Sequence, residues 1–182
     1  MKSLNQYIIE KILINKSSKF NKIKVETRKQ LETIILERYN KNKSFIDLTD
    51  IDISELDDLS YIFYELYSME VVDISGWDTS NVINMSYMFN RCTKLKKIVG
   101  IENLDVSKLK TTKIMFYGCK NLVELDLTNW NTISLENMSY MFCNCTKLDV
   151  DLSNWDLTNI KDHLKAGIID DSGITETHYP KI

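Results

Sequence analysis

One stretch, Val72 to Leu95 (VDISGWDTSNVINMSYMFNRCTKL), recurs along the chain roughly every 26 residues, and that recurrence limits the fold more than any other feature. Aligned on Trp77, the copies place Ile51, Leu104, Trp130 and Trp155 in one slot. Phe63, Phe89, Phe116 and Phe142 share a second slot, and Leu66, Cys92, Cys119 and Cys145 a third. A fixed period in the twenties points to repeats that each bury an apolar side against their neighbours. The expected fold is therefore an α/β solenoid, with about four and a half repeats of ~26 residues.

Each copy supplies an apolar–polar–apolar triplet ahead of the Trp slot: Ile46–Leu48, Val72–Ile74, Val99–Ile101, Leu125–Leu127 and Val150–Leu152. Alternation of this kind predicts short strands, stacked about 4.8 Å apart in a parallel sheet along one side. Behind them, Val82, Met85, Met88 and Phe89 follow the spacing of one helix face, as do Leu135, Met138, Met141 and Phe142. Short helices are expected there, with the methionines as core filler.

The ends differ from the repeats. Residues 1–45 read as an N-terminal helical cap: a helix over 3–14, an alternating stretch over 18–25, and a second helix over 26–40 with Leu31, Ile34, Ile35 and Tyr39 inward. The repeats span 46–166, and 167–182 read as a C-terminal tail. In the last copy His163 and Ala166 fall where methionines stood and Gly167 where Phe stood, as in a decaying terminal unit.

Charge is split along the chain. Residues 1–43 carry nine lysines and two arginines against four glutamates, a net of +7, which leaves −10 for the remainder. Glu10 and Lys11 interrupt the apolar residues near the start, so no export signal is read there and a cytoplasmic protein is expected. No run approaches the ~20 apolar residues of a membrane span.

The repeat DISGWDTSNVINMSYMFNRCTKL, with its W-D-T-S-N-V, M-S-x-M-F and C-x-x-L elements, resembles the BspA-like, Mycoplasma-type "surface protein 26-residue repeat" family of leucine-rich-repeat-like proteins over about residues 46–160. That resemblance implies a role in adhesion and protein binding on bacterial surfaces, not catalysis.

The residues themselves point the same way. Two histidines, no Gly-rich phosphate loop, no GxSxG and no HExxH leave no catalytic constellation. No enzyme activity, cofactor or metal is expected. Cysteine spacing does not suit zinc, and an intracellular chain favours reduced thiols. The expected function is protein–protein interaction through the outward sheet face. There Asp47, Asp73, Asp126 and Asp151 form one row, with Gly100 in the third copy. Ser75, Glu102, Thr128 and Ser153 flank it on one side, with Thr49; Glu124 and Asp149 flank it on the other. An acidic stripe of this kind suits a protein partner with a basic or mixed surface. The acidic body argues against nucleic acid and the absent span against a membrane; open edges leave self-association as a further expectation. A phage-encoded or virion structural or inhibitory protein, and a surface-adhesin fragment lacking its export signal, are the alternative readings.

Overall fold

The computed structural model describes residues 22–180. The elements in chain order are β1 (Ile23–Lys24), α1 (Arg28–Lys41), β2 (Phe45–Asp47), β3 (Ile51–Asp52), β4 (Val71–Asp73) and β5 (Lys97–Val99). All strand pairing is parallel: β1 pairs with β3, and β2–β4–β5 form a three-stranded sheet. Three short 3-10 turns, Ile101–Asn103, Asp162–Leu164 and Glu176–His178, complete the regular structure.

The expected α/β solenoid, with short helices behind a five-stranded sheet, is not what forms. Among the described residues α1 is the only α-helix, and no helix follows any copy of the repeat. The sheet ends at its third strand, beyond which Lys97 and Glu124 form an isolated bridge. Leu125–Leu127 and Val150–Leu152 are not strands. Gly100 ends β5 itself. At φ +92° it turns the chain into the 3-10 turn at Ile101, and a Cβ there would lie 2.7 Å from Ser75 Cα.

Backbone hydrogen bonding shows why the helices are absent. Leu59, Tyr61, Phe63 and Glu65 donate their N–H groups to the carbonyls of Asn84, Ser86, Met88 and Asn90 in the next copy. The same ladder continues to Met138, Tyr140, Phe142 and Asn144, which donate to Leu164, Ala166, Ile168 and Asp170. Intervening N–H groups close local turns, as from Asn90 to Tyr87 and from Cys92 to Phe89. Every backbone polar group needs a partner when buried. Here half of them find it one copy along, not four residues back.

This pattern requires left-handed backbone at two positions per copy. Tyr61, Tyr87, Ile114, Tyr140 and Gly167 form one such column, with φ of 56° to 63°. Glu65, Arg91, Gly118, Asn144 and Asp171 form the other. A left-handed L-residue costs about 1–2 kcal/mol, and a β-branched one such as Ile114 is rarer still. The inter-copy hydrogen bonds offset that strain.

Inside, the slots become stacked columns. Phe63, Phe89, Phe116 and Phe142 lie ring on ring at 4.9, 5.5 and 5.6 Å, within 4° of parallel. The thiols of Cys92, Cys119 and Cys145 donate to the carbonyls of Phe63, Phe89 and Phe116 at 3.0–3.1 Å. Trp77, Trp130 and Trp155 donate their indole N–H to Leu48, Ile101 and Leu127. These side chains are buried, so each bond gives a partner to a thiol or indole donor that water cannot reach.

Residues before the first copy extend the ladder. Ile23 and Val25 donate to the Asp50 and Asp52 carbonyls. Thr27 caps α1 and Gln30 returns the bond, a capping box. Leu31 and Ile35 are fully buried, with Ile34 and Tyr39 packed beside them. Arg28 donates to the Ser60 carbonyl at 2.6 Å, and Arg38 grips both carboxylate oxygens of Asp50 at 2.6 and 3.0 Å. The helix expected over 3–14 lies outside the described residues.

The far end differs from expectation. Two extra residues enter around Asp162–Leu164, so Ile168 and Ile169, not Ala166 and Gly167, occupy the Met and Phe slots. Residues 167–180 are not a loose tail: Ile168 and Ile174 join the core, and Leu152 donates to the His178 carbonyl at 2.8 Å.

Candidate functional site

The acidic row divides into two kinds of position. Asp47 and Asp73 pair directly across β2 and β4, and Asp73 is 9% exposed, so it is not an outward group. Its partner on β5 is Val99, which takes the place expected for Gly100. Asp126 and Asp151 are exposed, as are Glu124, Thr128, Asp149 and Ser153; Ser75 and Glu102 are half-buried.

The row carboxylates are turn-builders. Asp47 accepts the N–H and hydroxyl of Thr49, at 3.1 and 2.8 Å. Asp126 does the same with Thr128, at 3.1 and 2.7 Å. Asp73 accepts from the Ser75 N–H and Asp151 from the Ser153 N–H. A side-chain oxygen bonded two residues ahead is an Asx turn. The hydroxyls of Thr128 and Ser153, together with these backbone bonds, hold Asp126 and Asp151 below the usual carboxylate range. The device recurs elsewhere in the copies, at Asp52, Asp78, Asp105 and Asp156. Of the flanking residues, Glu124 pairs with Lys97, Asp149 with His178, and Glu102 with Asn103. The proposed stripe is thus bound up in local and cross-copy contacts.

Another face offers more. The residues of the turn ladder that project outward are aromatic: Tyr61, Tyr64, Tyr67 and Tyr140 are 46, 39, 46 and 42% exposed. Tyr61 and Tyr87 stack at 4.6 Å and 7°, and Tyr64 meets Tyr61 edge-on at 5.6 Å. Their positions follow from the backbone. The first left-handed column carries Tyr61, Tyr87, Ile114 and Tyr140, and the column three residues on carries Tyr64, Asn90, Tyr117 and Cys143.

Between them runs a cleft of about 330 Å³, with Tyr61, Tyr64, Tyr87, Asn90, Arg91 and Tyr117 on its walls. A second, of about 270 Å³, continues past Arg91 and Tyr117 to Tyr67 and Asn144. At the rim Arg91 pairs with Glu65 at 3.1 Å. The hydroxyls of Tyr67 and Tyr64, with Arg91, hold Glu65 below its ordinary value, while Glu65 in turn raises both phenols. At the floor Asn90 is 5% exposed, and its Oδ1 has no hydrogen-bond partner among the described residues. A buried unmet acceptor costs about 1–3 kcal/mol, which makes Asn90 conspicuous in a fold where nearly every other buried polar side-chain atom is paired. The signal in the sequence was a large aromatic recurring in a slot that packing does not need.

A family described as "Mycoplasma protein of unknown function, DUF285" matches residues 29–125 and, overlapping, 57–166, more than half of the chain. The chain belongs to this family. Searches of curated proteins and of solved structures return no match. Both DUF285 matches include the ladder from Tyr61 to Tyr117, and the longer one contains the whole tyrosine face. Among the described residues no helix is long and apolar enough to cross a membrane, and no group of three or more His, Cys, Asp or Glu is placed to hold a metal ion.

Proposed function

We propose that the chain is a non-enzymatic protein-binding module whose contact surface is the tyrosine face, not the acidic row. The observation that carries this reading is the exposed Tyr61 stacked on the half-buried Tyr87 beside a cleft with Arg91 at its rim. Tyrosine and arginine are enriched where proteins bind one another, because each presents a large apolar surface and a hydrogen-bonding tip at low entropic cost. Stacking holds two of the rings in place before any partner arrives, which lowers the ordering penalty of binding. The likeness of the repeat to BspA-like surface-protein repeats favours the same general role.

Panning a random peptide library on the folded chain tests it. Support is a set of clones whose affinity falls at least tenfold, about 1.4 kcal/mol, in Tyr87→Ser and is unchanged in Asp126→Lys with Asp151→Lys. Clones that depend on the two aspartates and ignore Tyr87 would sink the reading.

A further inference from the structure

Asn90 interrupts an aromatic column. Tyr64 stands in the same slot one copy before it and Tyr117 one copy after, and all three line the 330 Å³ cleft. Copies are spaced about 4.8 Å apart, so the two tyrosine positions are on the order of 10 Å apart, with the shorter side chain between them. A ring placed midway would lie about 5 Å from each wall, inside the 4.5–7 Å range of favourable aromatic contacts. The cleft is in effect the space of a missing tyrosine, with an amide at its floor.

Three properties describe what fills it. A planar ring suits walls set this far apart. A polar edge on that ring meets the Asn90 amide, whose buried Oδ1 has no partner among the described residues. The rim adds positive charge: the charged side chains lining the two clefts are Arg91 and Lys120, with Glu65 paired to Arg91 beside them. Arg91 spends one guanidinium nitrogen on Glu65, and an arginine has five N–H donors.

Resting on the protein-binding reading above, we infer that this slot receives one tyrosine or tryptophan side chain from an acidic partner segment, with the ring between Tyr64 and Tyr117, its polar edge on Asn90 and a neighbouring carboxylate on Arg91. The second cleft, which shares Arg91 and Tyr117, carries the segment onward towards Asn144.

The test is a titration followed through the side-chain amide signals of isotope-labelled protein. The probes are acetyl-Glu-Tyr-Glu-amide, its Glu-Ala-Glu and Lys-Tyr-Lys counterparts, and methyl glucopyranoside. The expected result is a saturable shift of the Asn90 amide by the Tyr–Glu peptide, at least tenfold tighter than by any other probe. Asn90→Tyr should abolish the shifts around Tyr64 and Tyr117 while leaving the unfolding midpoint in place, since neighbouring copies already hold tyrosine in this slot. Equal response to the alanine or lysine peptide, tighter binding of the glycoside, or shifts that persist in Asn90→Tyr overturn the inference. The probe comparison decides the matter on the native chain alone should that variant fold poorly. Library clones that need Tyr87 but tolerate Asn90→Tyr would remove the slot while leaving the tyrosine face standing.

Discussion

The Cys119 thiol donates a hydrogen bond to the Phe89 carbonyl at 3.1 Å, one copy back along the chain. The sulfur is thus a structural donor in a fully buried column. Burial pushes the Cys119 thiol well up, and Cys145 up to about 12. Native protein at pH 8 should therefore react with a disulfide reagent at Cys92, Cys119 and Cys145 only at its unfolding rate. Cys119→Ala should lower stability by about 1 kcal/mol, the worth of one buried hydrogen bond, since the Phe89 carbonyl keeps the Cys92 N–H. Urea unfolding measures the second effect; rapid native labelling of all three thiols would refute the first.

Gly100 and Gly118 should respond to substitution to very different degrees. Both have positive φ, but a Cβ at Gly100 meets Ser75 backbone at 2.7 and 2.8 Å, whereas at Gly118 the nearest atoms are 3.8 Å away. Gly100→Ala should destabilise by about 2 kcal/mol or more. Gly118→Asn should change stability by less than about 1 kcal/mol, since Arg91 and Asn144 hold the same left-handed backbone in adjacent copies. Thermal unfolding of the two variants side by side gives the answer.

At Asp126 the acceptor should matter and the charge should not. Asp126→Asn keeps an oxygen for the Thr128 N–H and hydroxyl, as Asn84 and Asn137 do for Ser86 and Ser139. It should be close to neutral, whereas Asp126→Ala should cost about 0.5–1.5 kcal/mol. Equal destabilisation by both changes would mean the carboxylate acts through charge.

His178 gives a pH signature. Its Nδ1 lies 2.8 Å from Asp149, and that carboxylate, with Asp151 farther off, raises the histidine above its ordinary 6.5. A raised folded-state value means the contribution is complete below about 6.5 and is lost as pH climbs through the folded value. The melting temperature should decline over that window in the native chain, and the decline should flatten in His178→Gln. Parallel profiles for the two proteins would dismiss the contact as a stabilising one.

These effects also mark where reading the residues succeeded. The Phe, Met, Cys and Trp slots are core columns in the structure because burial at a fixed period leaves a plain trace in sequence. Local conformation was less visible. Apolar residues at Val82, Met85 and Met88 are three apart, a spacing that suits a helix and a run of three-residue turns equally well. The choice between them is made by where the N–H groups of Met85, Tyr87 and Phe89 point, which side-chain pattern does not encode. Nor does propensity announce left-handed backbone at Tyr, Arg or Ile. The frame slip near Asp162 arose because two inserted residues moved Ile168 and Ile169 into slots that simple counting gave to Ala166 and Gly167.

The candidate site was half legible. The aspartates were conspicuous, but their pairing with a Ser or Thr two residues on was the stronger signal, and it spelled a turn. The tyrosines recurred with the same period as the phenylalanines, though broken at Asn90, Ile114 and Cys143, yet exposure separates the two, and exposure depends on the left-handed column that aims Tyr61 and Tyr140 outward.

The turn ladder has one further property. Alternate N–H groups from Leu59 to Asn144 face the C-terminal copy, and they outnumber the bonds that run back from Asn84, Lys110 and Asn137, so the peptide dipoles leave a net component along the stack. The carbonyl end meets Arg28, and the N–H end carries Asp162, Asp170 and Asp171. The molecule therefore has a direction, like a magnet with unlike poles. Like ends of two copies repel, and unlike ends join head to tail, into a ring where the rotation closes and a line where it does not. Residues Arg28–Lys41 at one pole and Gly173–Pro180 at the other thus do more than finish the core: through Arg28 and Gly173 each occupies repeat carbonyls that an open end would present to a second copy.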